Sequence, residues 1–177
     1  VPALFRSLLP GPFEVLLDIP ARHRRLSMGV QTFDEEQLVR MGRKHLGDRR
    51  TVGQVVEKAH RHGMTISGDF LINMPGEARV RMLDDLREAV AIGFDQICVY
   101  HLVLTEGMDT PWAQDPTRIA ALPSVHEACE NWLAARTWLL ENGYVQTTLT
   151  NFERAEVHRH DRRFVYEEHS FTPERYD

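Results

Sequence analysis

The sequence predicts an α/β chain of βα units with parallel strands, forming either an open sheet or a piece of a (β/α) barrel. Three observations predict it. Apolar residues alternate with period two in some segments and recur with the helical period in those between. The helical segments are long enough for crossover connections, which parallel strands require. Two successive strands have one small or polar face, Ser27, Gly29 and Gln31 on the first and Thr65, Ser67 and Asp69 on the second. A polar interior beneath a helix-covered exterior favours the barrel over the open sheet.

The first clear strand is RLSMGVQ, 25–31, with Leu26, Met28 and Val30 on its apolar side. Asp34 with Gln37 reads as a capping box opening a short helix whose apolar side is Leu38, Val39 and Met41. Thr51 and Gln54 repeat the box, and Val52, Val55, Val56 and Ala59 form a helical stripe that ends at Gly63. MTISGDFLI, 64–72, is the next strand, followed by the turn Asn73-Met74-Pro75-Gly76. The helix after it is expected to bury Val80, Leu83, Leu86 and Val90 and to stop at Gly93. QICVYHLVL, 96–104, is a nearly continuous apolar run of the kind covered on both faces. Ser124 and Glu127 cap a further helix carrying Val125, Ala128, Trp132 and Leu139, and YVQTTLTNF, 144–152, is a last strand before a polar tail. FEVLL, 13–17, also looks like a strand, but only seven residues separate it from the next one. That link is too short for a parallel crossover, so either these strands do not belong to one parallel sheet or intervening chain is missing from this sequence, and the second is expected.

The 177 residues suit one domain or part of one, and 42% apolar with 27% charged residues is ordinary globular usage. No apolar stretch approaches the ~20 residues of a membrane span, and no secretory cleavage pattern follows the N-terminus. A net charge of −5 without a basic block argues against nucleic acid as the main partner. Cys98 and Cys129 cannot form a disulfide framework, which suits a reducing cytoplasm, and two cysteines cannot ligate an ordinary four-iron cluster.

Asp69 lies near the carboxyl end of its strand, where α/β folds bind ligands, and a carboxylate there can accept both hydroxyls of a ribose or cap the following turn. Gln31 ends its strand on the polar face, with an amide suited to a nucleoside or hydroxyl-rich ligand. Arg43, twelve residues later, can grip a carboxylate bidentately or simply complement a helix end. Asn73 can take the left-handed conformation in its turn. His158, His160 and His169, among Glu156, Asp161, Glu167 and Glu168, read as a solvated charged surface without zinc spacing. Cys98 and Cys129 read as buried inert thiols. Trp112, Trp132 and Trp138 read as packing, with Trp112 in a loop the one placed to touch substrate.

RLSMGVQTFDEEQLVRMGRKH followed by SGDFLINMPGE resembles the oxygen-independent coproporphyrinogen III oxidase-like branch of radical S-adenosylmethionine (SAM) enzymes, which includes haem chaperones and class C radical SAM methyltransferases. VYHLVLTEGMDT and GYVQTTLTNFERAEVHRHDRRF occupy the places of later motifs, so the resemblance covers about residues 13–177. It implies a partial (β/α) barrel of radical SAM type over 1–151, lacking its N-terminal βα units, with a C-terminal extension over 152–177. It implies SAM and a [4Fe–4S] cluster at the carboxyl ends of the strands. Gln31, Arg43 and Asp69 match the family's SAM contacts, and Val103 matches a position whose backbone lies against SAM. Implied partners are a large, tetrapyrrole-like or heteroaromatic substrate and an electron donor such as flavodoxin or ferredoxin, with no nucleic acid and no membrane.

The family's C-x3-C-x2-C cluster motif and its GGTP motif are absent and are expected upstream of Val1. Asn73 stands where the family commonly has glycine. The expected activity is an oxidase or methyltransferase reaction started by a 5′-deoxyadenosyl radical. The alternatives are a haem-binding chaperone, in which His101 or the histidine-bearing tail matters more, and an inactive barrel fragment.

Overall fold

The computed structural model describes residues 17–21, 23–42, 48–105, 107–110 and 112–159. The elements in order are β1 (Arg25–Gln31), α1 (Glu35–Arg40), α2 (Arg49–Arg61), β2 (Thr65–Ile72), α3 (Arg79–Ile92) and β3 (Gln96–His101). After these come α4 (Pro116–Ala120), α5 (Val125–Glu141), β4 (Tyr144–Gln146), β5 (Asn151–Arg154) and α6 (Ala155–His158). They build one five-stranded sheet in the order β1-β2-β3-β5-β4. β1, β2 and β3 are parallel, as their helical crossovers require, while β5 runs antiparallel to both β3 and β4.

The last strand expected over 144–152 is therefore two strands. The bend at 148–150 reverses the chain, and Thr148 accepts the backbone N–H groups of Thr150 and Asn151 through its hydroxyl. A tight connection of this kind can only join antiparallel strands, which is why the parallel rhythm stops here. β3 also ends at His101: Gln96 to Val99 are buried, but Tyr100 and His101 are exposed, so the run is not covered on both faces over its whole length.

The core lies against the apolar sheet face. Leu26, Met28, Val30, Ile66, Phe70, Ile72, Ile97, Val99 and Phe152 meet Val52, Val55, Val56 and Ala59 of α2, Leu86 and Ala89 of α3, and Ala135 and Leu139 of α5. Gly68 sits among them because Phe70 and Phe94 stand edge to face, with ring centroids 6.0 Å apart; a Cβ at Gly68 would fall 2.9 Å from each ring. Asp95, at the start of the turn into β3, accepts the N–H of Ile66 at 2.9 Å and meets His60 Nε2 at 2.8 Å, tying α2 to the sheet.

Several helix phases differ from expectation. α2 is capped by Asp48, whose side chain accepts the N–H of Thr51, so Thr51 is inside the helix rather than its cap. In α3 the buried positions are Met82, Asp85, Leu86 and Ala89, and Val80 is exposed. Val39 and Val125 are exposed as well, because each lies on the solvent side of its helix. Asp34 caps α1, accepting from Glu36 and Gln37 N–H, but the expected box is not closed, because the Asp34 N–H donates to Thr32 Oγ1 rather than to Gln37. Ser124 with Glu127 makes a reciprocal capping box on α5. Cys98 is buried, but Cys129 is exposed on α5. Trp112 is a packing residue: it is buried, donates Nε1–H to Arg40 O at 2.8 Å, and has the Arg118 guanidinium over its ring. The segment 13–16 of the FEVLL run lies outside the described residues.

Candidate functional site at the carboxyl ends of the parallel strands

Each parallel strand ends at the same edge of the sheet, and the face away from the core carries the polar residues. The pairing places Ser27 beside Ser67 and Ser67 beside Gln96, then Gly29 beside Asp69 and Asp69 beside Cys98. Asp69 is half-buried, and its Oδ2 accepts from Ser27 Oγ across the strands at 3.5 Å. Glycine at 29 leaves no side chain in front of that carboxylate.

Gln31 closes β1 in a left-handed conformation, φ 73°, and the register with β2 slips between Gly29 and Gln31. A non-glycine residue with positive φ and a register slip at a strand end is a strained arrangement of the kind that aims a side chain for function. Gln31 pairs with Phe70, one position past the Gly29–Asp69 pair, so it closes β1 at the same carboxyl edge that Asp69 approaches on β2. Val103 lies two residues past β3 and is exposed; the chain before it is held by Leu102 N–H donating to Ile72 O at 3.0 Å. Arg43 lies outside the described residues, as do His160 and His169. His158 folds back, its Nδ1 3.0 Å from the buried Glu153 carboxylate.

Two carboxylates that the sequence reading did not single out stand behind the loop following β1. Asp85 of α3 accepts the N–H of Phe33 at 2.9 Å and a hydrogen bond from the Thr32 side chain. Glu77 accepts the N–H of Met74 at 3.3 Å in the turn after β2. Burial pushes Asp85 up to about 6 and Glu77 up to about 7, with the charge of Asp85 adding to the rise at Glu77. Both line a cavity of about 580 Å³ with Thr32, Phe33, Asp34 and Arg81. The signal that could have revealed Asp85 is its spacing from Met82, Leu86 and Ala89, which puts it on the buried stripe of α3.

Among the described residues, no group of three or more His, Cys, Asp and Glu side chains is arranged to hold a metal ion. Cys98 is buried on β3 and Cys129 exposed on α5, so these thiols do not form part of a cluster site. The described residues do not fit an iron–sulfur cluster. What they offer a nucleoside is the Asp69 carboxylate beside Gly29 and the Gln31 amide at the end of β1.

The fold and site define a class first: an α/β protein whose adjacent parallel strands carry a left-handed Gln31 and a half-buried Asp69 toward one carboxyl edge. No family model matches the chain. It is 27% identical over 131 residues to the oxygen-independent coproporphyrinogen III oxidase of Cereibacter sphaeroides, covering 74% of this chain and 28% of that protein. It is 26% identical over 132 residues to the haem chaperone HemW of Bacillus subtilis, covering 74% and 34%. It is 28% identical over 131 residues to the mitochondrial radical S-adenosyl methionine domain-containing protein 1 of Bos taurus, covering 73% and 29%. The chain therefore spans about a third or less of the curated relatives it matches. The coproporphyrinogen III oxidase HemN of Escherichia coli, a radical SAM enzyme, has a similar fold: TM-score 0.66 at 20% identity, over 86% of this chain and 36% of that one. The chain thus resembles the oxygen-independent coproporphyrinogen III oxidase-like branch of the radical SAM proteins, as its motifs indicate.

Proposed function

We propose that this chain forms the SAM-holding part of a radical SAM active site, on a partial (β/α) barrel. The single observation that carries the reading is that Gln31 and Asp69 lie near the carboxyl ends of adjacent parallel strands, Gln31 one pairing beyond the Gly29–Asp69 pair. In this reading Asp69 accepts ribose hydroxyls, Gln31 donates and accepts at the nucleoside, the Val103 backbone flanks it, and Arg43 meets the ligand carboxylate. Bound SAM would supply a carbon–sulfur bond whose reductive cleavage is the radical-generating chemistry that the resemblance implies. The residues described here bind and orient it; cluster ligands and an electron donor such as flavodoxin or ferredoxin have to come from outside them. The substrate class is large and tetrapyrrole-like or heteroaromatic, by analogy with relatives named as a coproporphyrinogen oxidase and haem chaperones.

The test is calorimetric SAM binding by the whole gene product prepared without oxygen. Asp69→Ala should weaken binding by about 1–3 kcal/mol, the cost of unpairing a partner in a half-buried site. Unchanged affinity removes the assignment of Asp69. A second reading, haem carriage, is favoured by one feature, the apolar groove beside β3 that His101 lines. A haem titration separates the two: a stable Soret band that disappears in His101→Ala would favour the chaperone, and no such band would favour SAM binding.

A further inference from the structure

Behind the exposed end of β3 runs a chain of side-chain hydrogen bonds whose direction is fixed at one end by an arginine. Arg79 Nε donates to Asn131 Oδ1 at 2.7 Å, Asn131 Nδ2 donates to Asn73 Oδ1 at 2.8 Å, and Asn73 Nδ2 lies 2.9 Å from His101 Nδ1. Arginine carries donors only, so Asn131 must turn its oxygen to Arg79 and its nitrogen to Asn73. Asn73 must then accept through oxygen and donate through nitrogen. The carbonyl of Ala128, an acceptor only, enforces the same orientation from a second side, 3.4 Å from Asn73 Nδ2. His101 Nδ1 is therefore the acceptor in its bond to Asn73, and in the neutral ring the proton sits on Nε2.

His101 is exposed and lines a groove of about 580 Å³ whose other walls include Val99, Ala128, Trp132, Leu133 and Leu149. We propose that the Arg79–Asn131–Asn73 relay holds His101 as an Nε2–H donor at this groove. His101 then recognises an acceptor oxygen, carboxylate or sulfonate, on an apolar aromatic molecule, and does not ligate a metal. The relay also gives Asn73 a purpose. At φ 64° a glycine would be freer, but glycine offers no amide to orient His101. Both polar atoms of this buried amide are used, which a residue serving only the turn would not need. The inference is independent of SAM binding. It opposes axial haem ligation by His101, because the nitrogen not held by Asn73 carries a proton rather than a lone pair.

Two measurements on the full chain test it. Histidine ¹⁵N spectra recorded with the ring neutral should show His101 Nδ1 unprotonated and Nε2 protonated. Asn73→Asp, which offers a carboxylate acceptor at the same conformation, should move the tautomer ratio toward Nδ1–H by at least roughly tenfold. A wild-type ring protonated at Nδ1 overturns the relay. For the ligand class, the probes are 1-anilinonaphthalene-8-sulfonate and its analogue lacking the sulfonate, followed by fluorescence. His101→Ala should weaken the sulfonate probe roughly tenfold and leave the analogue unchanged. Equal loss for both probes, no loss for the sulfonate, or no binding of either overturns the ligand assignment.

Discussion

Asp85, on α3, accepts the backbone N–H of Phe33 at 2.9 Å, and Phe33 lies two residues beyond the left-handed Gln31. The helix thereby holds the loop that leaves β1. The Phe33 ring adds a second tie, 5.6 Å from the Phe70 ring. Asp85→Ala should lower stability by about 1–3 kcal/mol through the unpaired Phe33 N–H and weaken SAM binding further than stability explains. Asp85→Asn keeps an acceptor and should retain most of both. Denaturant melts and calorimetry on the two variants check this; equal effects of both variants would contradict it.

Gln31 is expected to exchange stability for function. A left-handed non-glycine residue costs about 1 kcal/mol, and glycine removes that cost. Gln31→Gly should therefore leave the melting temperature unchanged or raised while SAM affinity drops. A destabilised Gln31→Gly variant would mean the side chain packs rather than binds.

The raised carboxylates set a pH dependence. Glu77 titrates near 7 when folded against 4.5 as its ordinary value, and Asp85 near 6 against 3.8. The folded chain thus holds more protons than the unfolded one between about pH 4 and 7, so stability falls as pH rises through that window and levels off above it. Glu77→Gln should flatten the upper part of the slope and stabilise the protein at pH 8 by about 1–3 kcal/mol. Denaturation midpoints at a series of pH values give the slope directly.

Gly68→Ala places a methyl between two aromatic rings that are already in contact. Overpacking of this kind costs about 1–3 kcal/mol. The loss should shrink when Phe94→Leu is combined with it, and purely additive losses in the double mutant would locate the strain elsewhere.

The residue pattern makes the parallel part of the fold legible. β1 is found at 25–31 as read, because its alternation is uninterrupted and one face is buried. The helix ends at Gly63, Gly93 and Gly143 are equally readable, since each glycine takes the positive φ that other residues avoid. The phase of α3 is not, because Val80 and Met82 are both apolar and only the packing partner decides which turns inward. The reversal at 148–150 is likewise silent in a run of threonines with high strand propensity.

The candidate site divides the same way. Asp69 and Gln31 stand out alone, since a carboxylate in a strand and an amide at its end are unusual where apolar residues are the rule. Cys129 misleads, because its apolar neighbours Trp132 and Leu133 line a groove instead of closing over the thiol.

By itself the sequence determined the succession of strands and helices, the polar face of β1 and β2, and the resemblance to a SAM-binding family, because periodicity and motif spacing are local properties. Only the tertiary structure decided that Asp85 braces the loop behind Gln31, that β5 reverses against β3, and which nitrogen of His101 bears the proton. Those outcomes depend on partners 52, 55 and 28 residues away in the chain. Hydrogen-bond direction over such separations is settled by which donor faces which acceptor once the chain has folded.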